Sequence, residues 1–279
     1  MSKKIEVLIS TMHRNSLEFL DKMFQEVNVE HVDLLIINQT NNSNQLNKTI
    51  ANKYNILDVI NSNEKGLAKS RNLAIKNAKN SICLIADDDV RYLPELDEKI
   101  LQAFEKHKEA DIISFQMVDE FGRFFKPYKN ITMHDKKTMR TVNSVVIAFR
   151  KERVIENKVW FNENFGLGAE FQTADEYVFL RDALKAKLKV YFEPVVILEH
   201  AYKSSGKSGG SDRLVYARAA LFYKYEGVVA YLRLCRYLYL VHREKMIATN
   251  EIFKKFKVGL KGINKYKELV KQGKEVRCQ

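Results

Sequence analysis

The chain has 279 residues, of which 46% are apolar and 11% aromatic, with only 3 Pro, 11 Gly and no biased repeat. This composition is typical of a globular protein and excludes a disordered, collagen-like or repeat-array protein. The net charge of +12 is uneven, since residues 201–279 hold 18 Lys and Arg against 6 Asp and Glu, whereas residues 1–200 hold 29 of each. We therefore expect a charge-balanced domain over 1–200 and a basic C-terminal region over 201–279 that binds something anionic.

The cysteines and the N-terminal segment indicate a compartment. Cys83, Cys235 and Cys278 have no metal-binding or redox spacing, and a sparse, odd count favours the reducing cytoplasm. The first residues are typical of a strand rather than a signal peptide, because Glu6 interrupts the apolar run. No apolar run reaches the roughly 18 residues of a membrane span, so we expect a cytoplasmic protein.

In the first 120 residues, apolar runs typical of strands alternate with helical periodicity. The predicted strands are 5–10, 33–39, 56–60, 81–86 and 111–117, and the predicted helices are 16–27, 44–54, 66–78 and 94–107. This alternation predicts an α/β fold, with a mostly parallel central sheet and helices on both faces. The strands are apolar throughout, as expected when both faces of a sheet are buried.

The second half of the chain continues the alternation and then becomes helical and basic. The predicted elements are a strand at 141–150, a glycine-bearing aromatic loop at 158–171, a helix at 175–188 and a pair of strands at 189–200. Residues 203–213 are predicted to form a flexible loop because Gly, Ser and Lys dominate them.

Polar residues follow three of the predicted strands, where ligands bind in sheets of this kind. These tips are Thr11 to Arg14, Asn38 to Asn41 and Asp87 to Asp89. On an extended chain Asp87 and Asp89 share one side and Asp88 points to the other. Two carboxylates on one side suit Mg²⁺ or Mn²⁺, which also bind substrate phosphates. The alternative is a solvated acidic turn that caps the next helix.

Two further features stand near the acidic tip. Arg71 lies one helix and one strand before it, and a cation beside a metal-binding pair indicates a diphosphate between them. The alternative for Arg71 is a surface ion pair. Asp175 and Glu176 open the helix after the glycine loop, where they are either a general base or acids favoured by the helix dipole.

Together these segments resemble the inverting, nucleotide-sugar-dependent glycosyltransferases of family 2, which have the GT-A fold. The resemblance runs in order over about residues 5–200 through NEKGLAKSRNLAIKNA, ICLIADDDVRYLP and FGLGAEFQTADEYVFLRDALKAKLKVYFEP. The shorter segments TMHR and INQTNN resemble a bacterial branch that builds capsular or other surface polysaccharides.

The resemblance implies roles for the polar tips. Asp87 and Asp89 would hold Mn²⁺ or Mg²⁺ on the donor diphosphate, and His200 would complete the metal site unless it makes only a structural hydrogen bond. The donor-nucleotide residues would be Thr11, Arg14, Asn38, Arg71, Asp87 and Asp88.

The sequence departs from the family pattern at two places. The second strand of the family commonly ends in Asp, where this chain has Asn38. The acidic pair of the family is usually Glu-Asp with Asp as the base, whereas this chain has Asp175 followed by Glu176. Alignment through Phe179 favours Glu176 as the base, and a shift of one residue would make it Asp175.

The reaction implied by the resemblance is the inverting transfer of a sugar from a nucleoside diphosphate, which we expect to be UDP. The acceptor would be a hydroxyl of a saccharide, which we expect to be lipid-linked, in the synthesis of a surface polysaccharide. The metal would neutralise charge on the leaving diphosphate, and one carboxylate would take the acceptor proton. We expect no nucleic acid partner.

The basic C-terminal region predicts a membrane partner. Arg233, Arg236 and Arg243 fall within about 80° of one another on a helix, and Lys alternates with apolar residues over 253–274. Basic amphipathic helices lie in membrane interfaces and are attracted to anionic lipids. We expect peripheral association with the inner face of the cytoplasmic membrane. The alternative is a helical tail packed on the domain with a solvated basic face.

Two other functions are compatible with parts of the sequence. A nucleotidyltransferase would share the sheet and the acidic tip, but it usually has a glycine-rich loop after the first strand, and STMHRNS contains no Gly. A nucleic-acid-binding protein would use the basic region for phosphates, but it would not need the acidic tip or the acidic pair.

Overall fold

The computed structural model describes residues 4–41, 45–47, 53–201 and 209–275. The chain divides into two compact units. Unit 1 comprises Met1–Asn162 and Asp175–Tyr202, and unit 2 comprises Glu163–Ala174 and Lys203–Gln279. The loop before Asp175 therefore belongs to the same unit as the C-terminal helices. The predicted domain boundary at residue 200 stays a prediction.

The described part of unit 1 contains a sheet of eight strands. They are β1 (Ile5–Met12), β2 (Val32–Gln39), β3 (Asn55–Ser62), β4 (Ile82–Asp87), β5 (Val90–Tyr92), β6 (Ile112–Val118), β7 (Ile147–Arg150) and β8 (Val190–His200). Their spatial order is β3-β2-β1-β4-β7-β6-β8-β5. Strand β7 is antiparallel to both of its neighbours and β5 is antiparallel to β8, whereas the other pairs are parallel. The predicted α/β fold is thus confirmed, with a mixed sheet.

The helices of unit 1 bury apolar stripes. They are α1 (Phe19–Met23), α2 (Leu67–Asn77), α3 (Leu96–Lys106), α4 (Lys151–Glu156) and α5 (Asp175–Lys185). In α3 the buried residues are Leu96, Ile100, Ala103 and Phe104, a helical spacing that places them on one side. Every residue of β2 is buried, so both faces of that strand are covered, as its unbroken apolar sequence predicts.

Some predicted elements differ from the observed ones in unit 1. The helix predicted over 16–27 is helical only over Phe19–Met23, because the buried stripe ends at Phe24 and the next residues are mostly exposed. The strand predicted over 141–150 is extended only over Ile147–Arg150 and is preceded by short 3₁₀ turns. Most of the helix predicted over 44–54 lies outside the described residues.

The predicted pair of strands at 189–200 is one continuous strand, β8. Its parallel register with β6 slips where Ser114 faces Phe192 and Gln116 faces Val196. Pro194 lies within this slip and has no N–H to donate to a neighbouring strand. A bulge therefore accommodates the proline without ending the strand.

Unit 2 contains three α-helices among its described residues, α6 (Asp212–Glu226), α7 (Ala230–Arg243) and α8 (Ile252–Lys271). The side chain of Ser211 caps α6 by accepting a hydrogen bond from the Leu214 N–H. Part of the loop predicted over 203–213 lies outside the described residues, and its last two residues already belong to α6. Within the described residues, no helix is long and apolar enough to span a bilayer.

Glycines let the helices of unit 2 approach closely. A Cβ atom added at Gly262 would lie 2.1 Å from the Tyr216 carbonyl oxygen of α6. A Cβ atom added at Gly259 would lie 2.5 Å from a methyl group of Leu234 on α7. A larger side chain at Gly262 would force α8 away from the α6 backbone, whereas one at Gly259 would require Leu234 to change its side-chain conformation.

The glycine-bearing loop of unit 2 is fastened to the helices by aromatic and polar contacts. The ring of Phe171 lies 5.6 Å from that of Tyr216 and 6.1 Å from that of Tyr266. The Asn164 side-chain amide donates to the Lys274 carbonyl at 2.8 Å and to the Glu275 carboxylate at 3.1 Å. Glu275 also accepts a hydrogen bond from Lys224 at 2.6 Å, and both side chains of this ion pair are buried.

Candidate donor and catalytic site

The parallel register of the sheet brings the three polar tips to one edge. Thr11 at the end of β1 pairs with Asn38 at the end of β2, and Ser10 pairs with Asp87 at the end of β4. The residues predicted from three separate segments are therefore neighbours. Ligands bind at the carboxyl ends of the strands in sheets of this kind.

Asp88 is held by the first of the three tips. Its carboxylate accepts a hydrogen bond from the Thr11 hydroxyl at 2.5 Å and another from the Arg14 guanidinium at 2.7 Å. The Arg14 side chain also lies over the ring of Phe19, 5.4 Å from its centre. Three predicted donor-nucleotide residues thus form one cluster, in which the position of each depends on the other two.

Asn38 fixes the backbone that follows β1. Its side-chain amide donates to the Arg14 carbonyl at 3.0 Å and to the Asn61 side chain at 2.9 Å, while its oxygen accepts from the Arg14 N–H at 3.1 Å. An ionised Asp at this position would have no hydrogen to donate to the two oxygens. The departure from the family pattern at residue 38 therefore has a physical explanation.

A cleft of about 220 Å³ opens beside these tips. Its walls include Met12, His13, Gln39, Thr40, Asn41, Asn63, Glu64 and Lys65. Gln39 fixes one wall by donating to the carbonyls of Glu64 at 2.7 Å and Gly66 at 3.0 Å. Gly66 has a φ of 121°, a conformation that side-chain-bearing residues rarely adopt, and it leads directly into α2.

Arg71 connects the acidic tip to the acidic pair. It is only 1% exposed, and its Nη2 donates to Asp87 at 2.8 Å and to the Ser144 hydroxyl at 2.9 Å, while its Nη1 donates to Asp175. Burial opposes the charge of the guanidinium, but Asp87 and Asp175 outweigh that effect, and the pKa of Arg71 is raised. Arg71 therefore contacts Asp87 directly, and its predicted role at the donor diphosphate stays a prediction.

The residues on either side of Arg71 anchor α2 on different elements. The Ser70 hydroxyl donates to Ser10 on β1 at 2.8 Å. The Asn72 side chain exchanges two hydrogen bonds with the backbone of Phe161, at 2.8 and 2.9 Å. The Phe161 ring in turn lies against the Arg71 guanidinium, 5.3 Å from its centre. The segment Ser-Arg-Asn therefore holds the arginine from both sides.

The two members of the acidic pair have different environments. Asp175 is buried and accepts a hydrogen bond from Arg71. Burial, together with the negative charge and hydrogen bond of Asp175, raises the pKa of Glu176 to about 8. Both acids lie in the first turn of α5, where the helix dipole favours negative charge. Asp175 is thus the partner of Arg71, and Glu176 keeps its proton to a higher pH than an ordinary glutamate does.

A lysine from a distant segment lies close to this pair. Lys126 donates to the Thr141 carbonyl and to the Asn143 side chain. Burial lowers its pKa to about 8, and attraction to Glu176 opposes that shift. The 3₁₀ turns before β7 therefore place one partner of Arg71, Ser144, beside one partner of Lys126, Asn143.

Asp89 and His200 form a separate pair at the end of β8. Strands β5 and β8 pair Val90 with His200, which leaves the His200 Nε2 3.4 Å from the Asp89 carboxylate. A hydrogen bond with His200 lowers the pKa of Asp89, and the same contact raises the pKa of His200. The other ring nitrogen of His200 donates to the Ala201 carbonyl at 2.9 Å. Across the described residues, no three His, Cys, Asp or Glu side chains converge as a preformed metal site.

A family comparison now identifies the chain. The model of the family described as "Glycosyl transferase family 2" matches residues 7–176, from β1 to the second residue of the acidic pair. The chain belongs to glycosyl transferase family 2. No curated protein matches the sequence.

Solved structures share the fold of this family 2 glycosyltransferase. The crystal structure of S. aureus TarS 1-349 has a TM-score of 0.55 and 13% identity, covering 97% of this chain and 92% of that one. The same fragment in complex with UDP-GlcNAc has a TM-score of 0.56 and 14% identity at the same coverage. A longer TarS structure has a TM-score of 0.56 and 13% identity, with 95% of this chain covered and 55% of that one. The GT-A fold is confirmed.

Several residues of this glycosyltransferase site carry no recognisable signal in the sequence. Lys126 and Ser144 stand in segments without a motif, and their roles depend on contacts with residues far along the chain. Ser70 and Asn72 lie within the segment NEKGLAKSRNLAIKNA, from which only Arg71 is predicted to be a site residue. The predicted nucleotide, metal and base roles of the named residues stay predictions.

Proposed function

We propose that the protein transfers a sugar from a nucleoside diphosphate, UDP in the first instance, to a hydroxyl of a saccharide acceptor, with inversion. The family match supports glycosyl transfer over the nucleotidyl-transfer and nucleic-acid-binding alternatives. The TarS fragment of similar fold was crystallised with UDP-GlcNAc and with UDP, which supports a uridine nucleotide donor.

The observation that carries the proposal is the contact of Arg71 with both acidic features. One guanidinium joins Asp87, at the end of β4, to Asp175, at the start of α5. The proposed donor residues at the end of β4 and the proposed base at the start of α5 are thereby fixed relative to one another before the substrates bind. Such preorganisation is an efficient source of transition-state stabilisation.

We propose Glu176 as the general base. Asp175 is already engaged by Arg71, which supports Glu176 over the one-residue alternative. The acceptor hydroxyl attacks the anomeric carbon from the face opposite the diphosphate, the bond from that carbon to the diphosphate oxygen breaks, and the hydroxyl proton passes to Glu176. The products are the glycoside with inverted configuration and the free nucleoside diphosphate. The raised pKa makes the Glu176 carboxylate a stronger base than an ordinary glutamate, and its ionised fraction rises with pH through about 8.

The residues at the acidic tip fit a divalent cation that is shared with the donor. Asp89 is 65% exposed, so its oxygens face solvent, and His200 stands beside it with the Nε2 directed to the same region. Mg²⁺ commonly binds through one or two protein carboxylates together with substrate phosphates and waters, which fits the lack of a three-residue cluster among the described residues. When bound, the ion would neutralise charge on the leaving diphosphate. Asp89 would hold it, with His200 or Asp87 as a second protein ligand.

We propose Thr11, Arg14, Asn38 and Asp88 as the support of the nucleotide, around the cleft at the ends of β1 and β2. The polar rim of the cleft and its volume of about 220 Å³ suit part of a nucleotide. The acceptor is proposed to be lipid-linked and to belong to surface polysaccharide synthesis. The protein would then act on this acceptor as a peripheral protein at the inner face of the cytoplasmic membrane.

A thermal-shift panel of UDP-, GDP- and TDP-sugars, with and without Mn²⁺, tests the proposal. We expect at least one UDP-sugar to raise the melting temperature, and to raise it further with Mn²⁺. Asp89→Ala should lose the Mn²⁺-dependent part, whereas Asp58→Ala, an exposed acid on β3, should keep it. If no nucleotide sugar changes the melting temperature under either condition, the proposed donor site is wrong.

A further inference from the structure

The outward face of α7 carries large apolar side chains that are exposed. Leu232 is 73% exposed and Tyr239 is 61% exposed, and Val228, just before the helix, is 73% exposed. Arg236 and Arg243 are exposed on the same face. These positions recur every three or four residues, so they form one stripe along the helix, called here the α7 outward face.

The α7 outward face lies opposite the face that forms the core of unit 2. The core side consists of Ala230, Leu234, Leu238 and Val241, which are buried. Each outward residue stands two positions from a core residue, which is about 200° around a helix. The helix therefore carries apolar residues on both sides, whereas a solvated helix face is normally polar.

Arg233 does not belong to this face. It pairs with Glu226 and lies over the Phe222 ring, 5.1 Å from its centre. The predicted group of three arginines is therefore split by the structure. Arg236 and Arg243 stay on the exposed stripe, interleaved with Leu232 and Tyr239.

The charge along α7 is basic. No Asp or Glu occurs from residue 227 to residue 243, and the first acid after them, Glu244, pairs with Arg243 at the surface at 3.3 Å. On α8 the exposed residues include Lys254, Lys257 and Lys261, at spacings that also place them on one side. A partner that contacts both the apolar and the basic side chains of this region must offer an apolar interior and an anionic boundary.

We propose that the α7 outward face binds the surface of an anionic lipid bilayer. The apolar side chains at residues 228, 232 and 239 would enter the boundary between headgroups and acyl chains, and Arg236 and Arg243 would reach lipid phosphates. Long basic side chains can keep their charge in the headgroups while their stems cover apolar surface. This inference deepens the proposed function, because it names the surface at which a lipid-linked acceptor would be met.

The pattern favours a bilayer over a protein partner. Arginine and tyrosine are also common at protein interfaces. What favours a bilayer is that the exposed charges along this face are basic, at Arg236 and Arg243, and that the exposed lysines of α8 continue the same sign. A protein would need an acidic group placed opposite each arginine. A bilayer offers a phosphate at every lateral position.

Co-sedimentation of the full-length protein with vesicles tests the proposal. We expect binding to vesicles that mix phosphatidylglycerol with phosphatidylcholine, and weaker binding to phosphatidylcholine alone. Leu232→Gln and Tyr239→Gln should each weaken binding about tenfold, because each removes buried apolar area. Arg236→Gln should weaken binding to the anionic vesicles about fivefold. The matched controls, Ile155→Gln and Arg140→Gln on exposed positions of unit 1, should leave it unchanged.

The chain also offers a reporter within the α7 outward face. Cys235 is exposed and Cys83 is buried, so an environment-sensitive dye in a Cys278→Ser variant would label residue 235. Its emission should shift to the blue on anionic vesicles. A dye on Lys108→Cys, in a variant that also carries Cys235→Ser, should not shift, because Lys108 lies on the surface of unit 1.

Three results would overturn the inference. The first is an absence of wild-type binding to anionic vesicles, and the second is equal binding by the Leu232→Gln and Ile155→Gln variants. The third is a change of oligomeric state in the variants of the α7 outward face, measured by size-exclusion chromatography with light scattering, without a change in vesicle binding. The nucleotide-sugar thermal shift is measured without vesicles, so failure of the membrane inference and failure of the proposed donor site remain distinguishable. Variants that retain that shift and the wild-type melting temperature are folded.

Discussion

In unit 1 the guanidinium of Arg71 is only 1% exposed and is bonded to Asp87 and Asp175, whereas in unit 2 Arg236 and Arg243 are exposed beside apolar side chains. A buried charge must be paired, because the cost of removing it from water is large. An exposed charge needs no partner within the chain. The buried guanidinium of Arg71 therefore fixes the positions of side chains within the site. The exposed guanidinium groups of Arg236 and Arg243 lie where a binding partner can contact them.

Unit 2 also contains a buried pair, which shows that burial rather than sequence region decides the role of a charge. Lys224 and Glu275 are bonded at 2.6 Å, with exposed side-chain fractions of 3% and 2%. The net positive charge of residues 201–279 is thus not uniform in function. Lys224 and Lys255 are buried and paired with acids, whereas Arg236 and the outer lysines of α8 are exposed to solvent.

The largest effect is expected from Arg71→Met. The variant leaves two carboxylates without their cation, and breaking such a buried pair costs about 3–5 kcal/mol. Urea denaturation should show that loss of unfolding free energy, together with a loss of sugar transfer. Lys69→Met on the same helix breaks only an exposed pair with Glu64 and should cost less than about 1 kcal/mol. Equal losses in the two variants would show that burial does not set the role of Arg71.

Glu176→Gln should reduce sugar transfer about 10²–10⁴-fold, because it removes the proposed base. In the wild type, transfer should rise with pH up to about 8, where the Glu176 carboxyl loses its proton. Its pKa is raised on folding, so its stabilising contribution is complete at low pH and is lost as pH rises through about 8. The variant should lack this loss in denaturation experiments across pH. A variant that keeps full activity with an unchanged pH profile would exclude Glu176.

Lys224→Met should destabilise unit 2 by about 3 kcal/mol, since it leaves Glu275 buried and unpaired. The double variant Lys224→Met with Glu275→Met should recover most of that loss, because no charge then remains to be compensated. Denaturation followed by helical circular dichroism measures both. If the double variant is as unstable as the single one, the pair contributes through its shape and not through its charge.

The smallest effect concerns Lys126, which lies between the two extremes of burial. Lys126→Met removes a positive charge that favours ionised Glu176, so the pH–rate profile should move to higher pH. At neutral pH the rate should fall about tenfold or less, with recovery at alkaline pH. Lys126→Arg should stay closer to the wild type. A uniform loss of rate at every pH would indicate a structural role.

Much of unit 1 could be predicted because its signals are local. Apolar strands, helical periodicity and the polar tips after β1, β2 and β4 are all visible within a few residues. The direct contact of Arg71 with Asp175 joins residues 104 positions apart, and no local pattern reports it. No local pattern marks Lys126 either, because its partners Thr141 and Asn143 lie in turns within a segment whose sequence predicts a strand.

The orientation of α7 could not be predicted from periodicity. Apolar residues occur on two sides of this helix, so the pattern does not tell which side forms the core. The structure decides it through Leu234, which meets Gly259 of α8, and through the burial of Leu238. Leu232 and Tyr239 are then left outside, and the exposed apolar face becomes visible only in three dimensions.

The fastening of the loop before Asp175 has a consequence for how such an enzyme evolves. Phe171 is covered by Tyr216 and Tyr266, and Asn164 is bonded to the backbone at Lys274, so the loop and the C-terminal helices form one structural unit. Recombination that exchanged only the C-terminal helices would strip these contacts from the segment that leads into the acidic pair. The helices and the loop are therefore expected to be inherited together, and a change in the C-terminal helices would have to preserve or rebuild the contacts of the segment that leads into Asp175 and Glu176.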